Sequence, residues 1–256
     1  MKIQYCSDLH LEFAENKNFL KQNPIKPVGD ILLLAGDILP FCQIKKHADF
    51  FNYISDNFQA VYWIPGNHEY YRSDAIERSA SFSEKIKDNV FLLNNSSVVH
   101  EHIKIIFSTL WSKISPIHEL QIERNMSDFH VISYDKHKFS VLQYNKLYEQ
   151  NINYLKSELS KKHIGKTVVV THHVPTFLNY PEQYKTSVLN EAFATELFDF
   201  IELSGPDFWI YGHHHSNTPK FNIGHTKMLT NQLGYVQLQE HTDFDPKAVI
   251  EINGVK

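Results

Sequence analysis

Short apolar runs recur along the chain, continuous rather than alternating, and each ends abruptly in polar, chemically capable residues. Lys2–Cys6 leads into Ser7-Asp8-Leu9-His10, Ile31–Ala35 into Gly36-Asp37, and Ala60–Ile64 into Pro65-Gly66-Asn67-His68-Glu69. Thr167–Val170 leads into Thr171-His172-His173, and Phe208–Tyr211 into Gly212-His213-His214-His215. Continuous apolar runs suit strands buried on both faces, and such strands need covering helices. Apolar residues at helical spacing predict those helices over Lys45–Asn57, Ser73–Lys87, Val141–Lys161 and Glu191–Ser204, with starts at Ser73 and Asn190. Val98-Val99 and Ile103–Phe107, around a polar turn at His100–His102, predict paired strands. The C-terminal region alternates more and predicts antiparallel strands over His225–Leu229, Tyr235–Leu238 and Ala248–Ile252. The pattern is that of an α/β protein. With no repeat, low-complexity tract or linker, residues 1–256 are expected to form a single domain.

In open α/β sheets the ligand crevice lies beyond the carboxyl ends of the strands, so five polar clusters at five strand ends are expected to meet at one site. Composition sharpens what that site could be. There are 16 histidines but only two cysteines, Cys6 and Cys42, which excludes a disulfide framework and a four-thiolate zinc site. The clusters offer Asp8, His10, Asp37, Asn67, His172, His213 and His215, a nitrogen and oxygen donor set suited to Zn, Mn or Fe. Seven donors exceed one tetrahedral site. They suit two ions ~3.5–4 Å apart sharing a carboxylate, the arrangement used for in-line displacement at phosphorus.

Asp-x-His, Gly-Asp, Gly-Asn-His-Glu, a strand-end His and Gly-His-x-His, in that order over residues 8 to 215, resemble the calcineurin-like metallophosphoesterase superfamily. The resemblance implies a four-layer sandwich of two mixed β-sheets flanked by helices. It implies that Asp8, His10, Asp37 and His215 hold one divalent or mixed-valence transition-metal ion, and that Asp37, Asn67, His172 and His213 hold a second, with Asp37 bridging. It further implies a phosphoesterase, acting on a monoester or diester through a metal-bridging hydroxide, with His68 as the catalytic residue assisting the leaving oxygen. Two divalent ions, two aspartates and one hydroxide leave a single positive charge, which favours an anionic phosphoryl group. Thr171-His172-His173 offers two histidines for one ligand position, with His172 preferred because it comes first after the apolar run. His214 is expected to point away from His213 and His215.

The net charge of −4 and the lack of a basic stripe disfavour nucleic acid as a partner and leave a small phosphoester as the expected substrate. No apolar run approaches the ~20 residues of a membrane span, and the N-terminus lacks a signal-peptide core, so a cytoplasmic location without membrane association is expected. A non-catalytic scaffold of the same fold, binding a protein partner, is the alternative. Loss of ligand residues would mark it, and all seven ligands and His68 are in place. A metallo-β-lactamase-type hydrolase is set aside for want of its His-x-His-x-Asp-His cluster. His47, His100, His102, His118, His130, His137, His163, His225 and His241 have no motif context and are expected at the surface or in loops. Cys6 is expected to be a small buried hydrophobe. Tyr70 and Tyr71 could line the cleft or pack in the core, and Arg124 and Asn125 could reach a phosphate or lie in solvent.

Overall fold

A computed structural model describes residues 1–252 of the chain. In chain order its strands are β1 (Lys2–Cys6), β2 (Ile31–Ala35), β3 (Ala60–Ile64), β4 (Phe82–Lys87), β5 (Val90–Asn94), β6 (Ser96–His100) and β7 (Ile103–Ser108). They continue with β8 (Ser133–Tyr134), β9 (His137–Lys138), β10 (Lys166–Thr171), β11 (Phe208–Tyr211), β12 (Phe221–Ile223), β13 (Thr226–Thr230) and β14 (Val249–Glu251). The helices are α1 (Ala14–Gln22), α2 (Ala48–Asn57), α3 (Glu119–Asn125), α4 (Asp128–Val131), α5 (Val141–Leu159) and α6 (Phe198–Ser204). One sheet has the order β14-β1-β2-β3-β5-β4, with β1, β2, β3 and β5 parallel and an antiparallel strand on each edge. The second repeats the plan as β12-β13-β11-β10-β7-β6, with β13, β11, β10 and β7 parallel.

Side chains alternate between the faces of a strand, so an uninterrupted apolar strand feeds two cores. Ile31, Leu33, Ala35, Tyr62 and Ile64 meet Ile105, Phe107, Val168 and Val170 between the sheets. Their neighbours Leu32, Leu34, Val61, Trp63, Ile106 and Val169 face outward, in a cluster that takes in Ile54 of α2, Leu147 and Leu155 of α5, and Ile201 of α6. The layers are therefore helix, sheet, sheet, helix, which is the expected architecture. α5 starts where Ser140 and Gln143 form a capping box, the Gln143 side chain accepting from the Ser140 amide. Among the described residues, no helix is long and apolar enough to cross a membrane.

Five local expectations need correction. Ser73–Lys87 is not a helix: a short 3-10 turn at Ala75–Arg78 gives way to edge strand β4, paired with β5. Phe82 and Ile86 fit both helical and alternating spacing, and pairing with the buried β5 decides the matter. Tyr235–Leu238 is a 3-10 turn, because the Tyr235 amide donates to Glu240 and that of Val236 to Asn16. The helices expected at Lys45–Asn57 and Glu191–Ser204 are shorter, α2 beginning at Ala48 and α6 at Phe198, each preceded by 3-10 structure. In the second case the amides of Thr195 and Leu197 donate to the carbonyls of Val174 and Pro175, which pins the segment before α6 against a loop. His47 is buried where the 3-10 turn Phe41–His47 joins α2, not at the surface. Cys6 is buried, as expected.

One buried ion pair ties α5 to the second sheet. The ammonium of Lys104 on β7 lies 2.8 Å from Glu158 Oε1, and both side chains are under one-tenth exposed. It also donates to the Glu158 carbonyl, while Ser97 donates to Oε1. Burial alone would raise the Glu158 pKa, but Lys104, Lys161 and Ser97 hold it down from 4.5 to about 2. Glu158→Ala would leave Lys104 buried without its partner, and the expected loss is ~3–5 kcal/mol of unfolding free energy, measured by denaturant melts. A depressed folded pKa gives stability that is complete above pH 4.5 and lost as pH falls towards 2. The variant should therefore show a flatter acid limb than the native protein.

Candidate metal centre

The loops after β1, β2, β3, β10 and β11 reach a common rim and hydrogen-bond to one another there. The amides of Asp8 and His10 donate to the carbonyls of Gly36 and Asp37, and that of Gly212 donates to His172. The His68 amide donates to Asp37 Oδ1 at 2.9 Å and the His213 amide to Asp8 Oδ1 at 3.0 Å. Asp8, His10, Asp37, His213 and His215 all have positive φ, between 45° and 80°. Left-handed backbone at non-glycine residues costs ~1–3 kcal/mol each and persists only where surrounding structure over-determines it, as at functional sites. The motif glycines make room: a Cβ at Gly36 would lie 2.4 Å from His172 Nδ1, and one at Gly66 would lie 2.2 Å from Asp37 Oδ1. Larger residues at either position would displace the side chains that the loops gather.

The rim brings the motif side chains into two clusters that share Asp37: Asp8, His10, Asp37 and His215 in one, and Asp37, His172 and His213 in the other. Asp37 Oδ2 lies 3.8 Å from His10 Nε2 and 3.4 Å from His172 Nε2. Within the first cluster His10 Nε2 faces His215 Nε2 at 2.9 Å, and within the second His172 Nε2 faces His213 Nδ1 at 3.1 Å. The other nitrogen of each ring faces an acceptor: Glu12 for His10, Glu240 for His215, the Ala35 carbonyl for His172 and the Ala192 carbonyl for His213. Each of those nitrogens must carry the ring proton, so in both pairs the facing nitrogens present lone pairs to each other. Two lone pairs at such distances repel unless a cation, either a proton or a metal ion, lies between them. Asn67 adds a third sign. Its amide nitrogen donates to Asp128 Oδ1, and its buried carbonyl oxygen has no partner. An orphaned buried acceptor beside opposed imidazole lone pairs is what a metal-ligand set requires.

Electrostatics point the same way. Burial would lower the imidazole pKa values, yet Asp37, Asp8 and Glu69 push His172 up to about 9, and Asp8 and Glu240 push His215 up to about 10. Burial would raise Asp37, but the imidazoles of His172, His68 and His10 hold it well below the usual carboxylate range. The carboxylates thus favour positive charge at those ring nitrogens. His68 is nearly enclosed, with Nδ1 2.8 Å from Glu12 and Nε2 3.3 Å from the Tyr235 hydroxyl. Asp37 and Glu12 outweigh its burial and raise its pKa.

His173 belongs to neither cluster. Its ring packs on Trp111 and His213, and neither of its nitrogens has a partner, so His172 is the residue that reaches Asp37. His214 turns to Gln232, whose amide donates to its Nδ1. Tyr70 is fully buried in the core, whereas Tyr71 stacks on His68 and lines the cleft. Asn125 also lines the cleft, but Arg124 is exposed outside it.

The motifs assigned no role to several supporting residues, among them Glu69, which stands in Gly-Asn-His-Glu itself. Glu12 continues the alternation of Asp8 and His10, so its spacing was a usable signal. Its Oε1 accepts from both His10 and His68. Glu69 accepts from the amides of Asp37, Ile38 and Gly66 and from the Trp63 indole, fixing the two loops to each other. Asp128, Tyr235 and Glu240 come from distant segments with no motif to announce them. Outer partners that orient ligating histidines affect metal affinity ~10–100-fold, so Glu12→Gln is expected to weaken binding at the His10 cluster by that factor, measured by competition with a chelating indicator.

The family described as calcineurin-like phosphoesterase matches residues 1–217. An uncharacterized protein of Acanthamoeba polyphaga mimivirus is 36% identical over 279 residues, covering 98% of this chain and 96% of its own. Among solved structures, the phosphopantetheinyl hydrolase of Mycobacterium tuberculosis superposes with a TM-score of 0.71 at 15% identity, over 97% of this chain and 95% of that one, which is a likeness of fold.

Proposed function

The chain belongs to the calcineurin-like phosphoesterase family, and from that premise we propose that it hydrolyses a small phosphoester at the cleft above Asp37. The observation that carries the proposal is the pair of opposed imidazoles on either side of one carboxylate. His10 with His215, and His172 with His213, each aim lone pairs inward beside Asp37, which makes two cation positions with a shared ligand. Asp8 would complete the first position and Asn67 the second. When bound, two transition-metal ions would supply the Lewis-acid charge and the acidified water that an in-line displacement at phosphorus needs.

The chain's own residues do the rest. The loop glycines let the ligand loops approach, and Glu12, Glu240, Asp128 and Glu69 hold the ligands and the second loop in place. His68 sits at the cleft surface beside the cluster, with Nδ1 fixed by Glu12 and Nε2 next to Tyr235, so its Nε2 proton is the one available to a departing ester oxygen. The test is reconstitution of purified protein with Mn, Fe or Zn, followed by elemental analysis and a panel of phosphomonoesters, diesters and cyclic nucleotides. Two ions per chain with chelator-sensitive hydrolysis is the expected result. A full complement of metal with no hydrolysis of any phosphoester would overturn it.

A further inference from the structure

We infer that the cleft takes a phosphodiester carrying an uncharged apolar or aromatic ester group, in preference to a phosphomonoester; the inference rests on the phosphoesterase reading above. The cleft has a volume of about 440 Å³, and among the described residues no lysine or arginine lines it. Its walls include the side chains of Tyr71, Tyr180, Tyr184, Leu189, Phe193 and Tyr235, interspersed with serines and asparagines. Lys185, next in sequence to Tyr184, places its ammonium on Glu182, outside the lining.

The carboxylates around the cluster outnumber those that the motifs show. Besides Asp8 and Asp37, Glu12 reaches His10 and His68, and Glu240 reaches His215 from the cleft wall. Counted with the hydroxide as before, four carboxylates outweigh the formal charge of two divalent ions, so the surplus positive charge counted from the aspartates alone is gone. A phosphomonoester, with a second pKa of about 6, brings two negative charges at neutral pH. A diester brings one. The second charge of a monoester would need a lysine or arginine, which the walls lack among the described residues, and an unpaired charge against aromatic surface is unfavourable. An ester group without charge has the opposite fate, because the tyrosine and phenylalanine rings offer it apolar area and stacking.

The test compares two substrates with the same leaving group, p-nitrophenyl phosphate and phenyl p-nitrophenyl phosphate, on Mn-loaded protein at pH 8. The expected kcat/KM is at least ~10-fold higher for the diester. Calorimetric titration with the product-like anions should give the same order, diphenyl phosphate binding more tightly than phenyl phosphate. Asn125→Arg and, separately, Leu189→Arg place a cation in the wall away from the ligands and should narrow both ratios by favouring the doubly charged partner. Equal or better hydrolysis of the monoester, or ratios unmoved by both arginine variants, would overturn the inference and leave the phosphoesterase reading intact. Hydrolysis of neither substrate by protein holding two ions would overturn that reading itself.

Discussion

Replacing Asp37 by asparagine is expected to cut bound metal from two ions per chain to one or fewer and to reduce turnover by at least ~1000-fold, about 4 kcal/mol of transition-state stabilisation. The size of the effect follows from position. Asp37 is the one residue common to both clusters, with Oδ2 within 4 Å of an imidazole nitrogen in each. Its Oδ1 is already used by the His68 amide, so the side chain also fixes the loop that presents Asn67 and His68. Asparagine keeps the shape and can keep an oxygen towards that amide, but it removes the negative charge that both cation positions share. Elemental analysis, kcat on a diester and a thermal melt together check the prediction. A variant that melts near the native temperature, keeps two ions and keeps activity would show that Asp37 does not bridge.

His68→Ala is expected to behave differently, retaining both ions while losing ~10²–10⁴-fold in kcat, the usual contribution of a positioned proton donor. His68 contributes no atom to either of the two clusters that share Asp37. Its ring lies between Glu12 and Tyr235 and stacks on Tyr71 with centroids 4.1 Å apart. A proton donor matters most for a poor leaving group, so the loss should be larger on an alkyl ester than on a p-nitrophenyl ester. Equal losses on both substrates, or loss of metal along with activity, would assign His68 to the cluster rather than to the leaving group.

Much of the centre was legible before the fold was known, because its parts are short and local. Asp-x-His, Gly-Asp, Gly-Asn-His-Glu and Gly-His-x-His each place donors at a strand end, and a strand end is a feature that apolar runs reveal. The glycines in two of those motifs have a local reason too: at Gly36 and Gly66 a Cβ would collide with His172 or Asp37. Elements were less legible where periodicity was ambiguous. The Ser73–Lys87 segment carries Phe82 and Ile86 four apart, which a helix and an edge strand use equally well, and only the presence of β5 alongside selects the strand.

What the sequence by itself determined is the set of buried strands and the donors at their ends, since continuous apolar runs and the residues that terminate them are properties of contiguous chain. The tertiary structure decided which donors meet and which charges accompany them. His172 rather than His173 faces Asp37 because its ring is fixed by the Ala35 carbonyl on another strand. Glu240 and Asp128 enter the centre from segments that carry no motif. The balance of charge in the cleft arises from side chains far apart in sequence. Electrostatic energy depends on separation in space, so no local pattern could have supplied it.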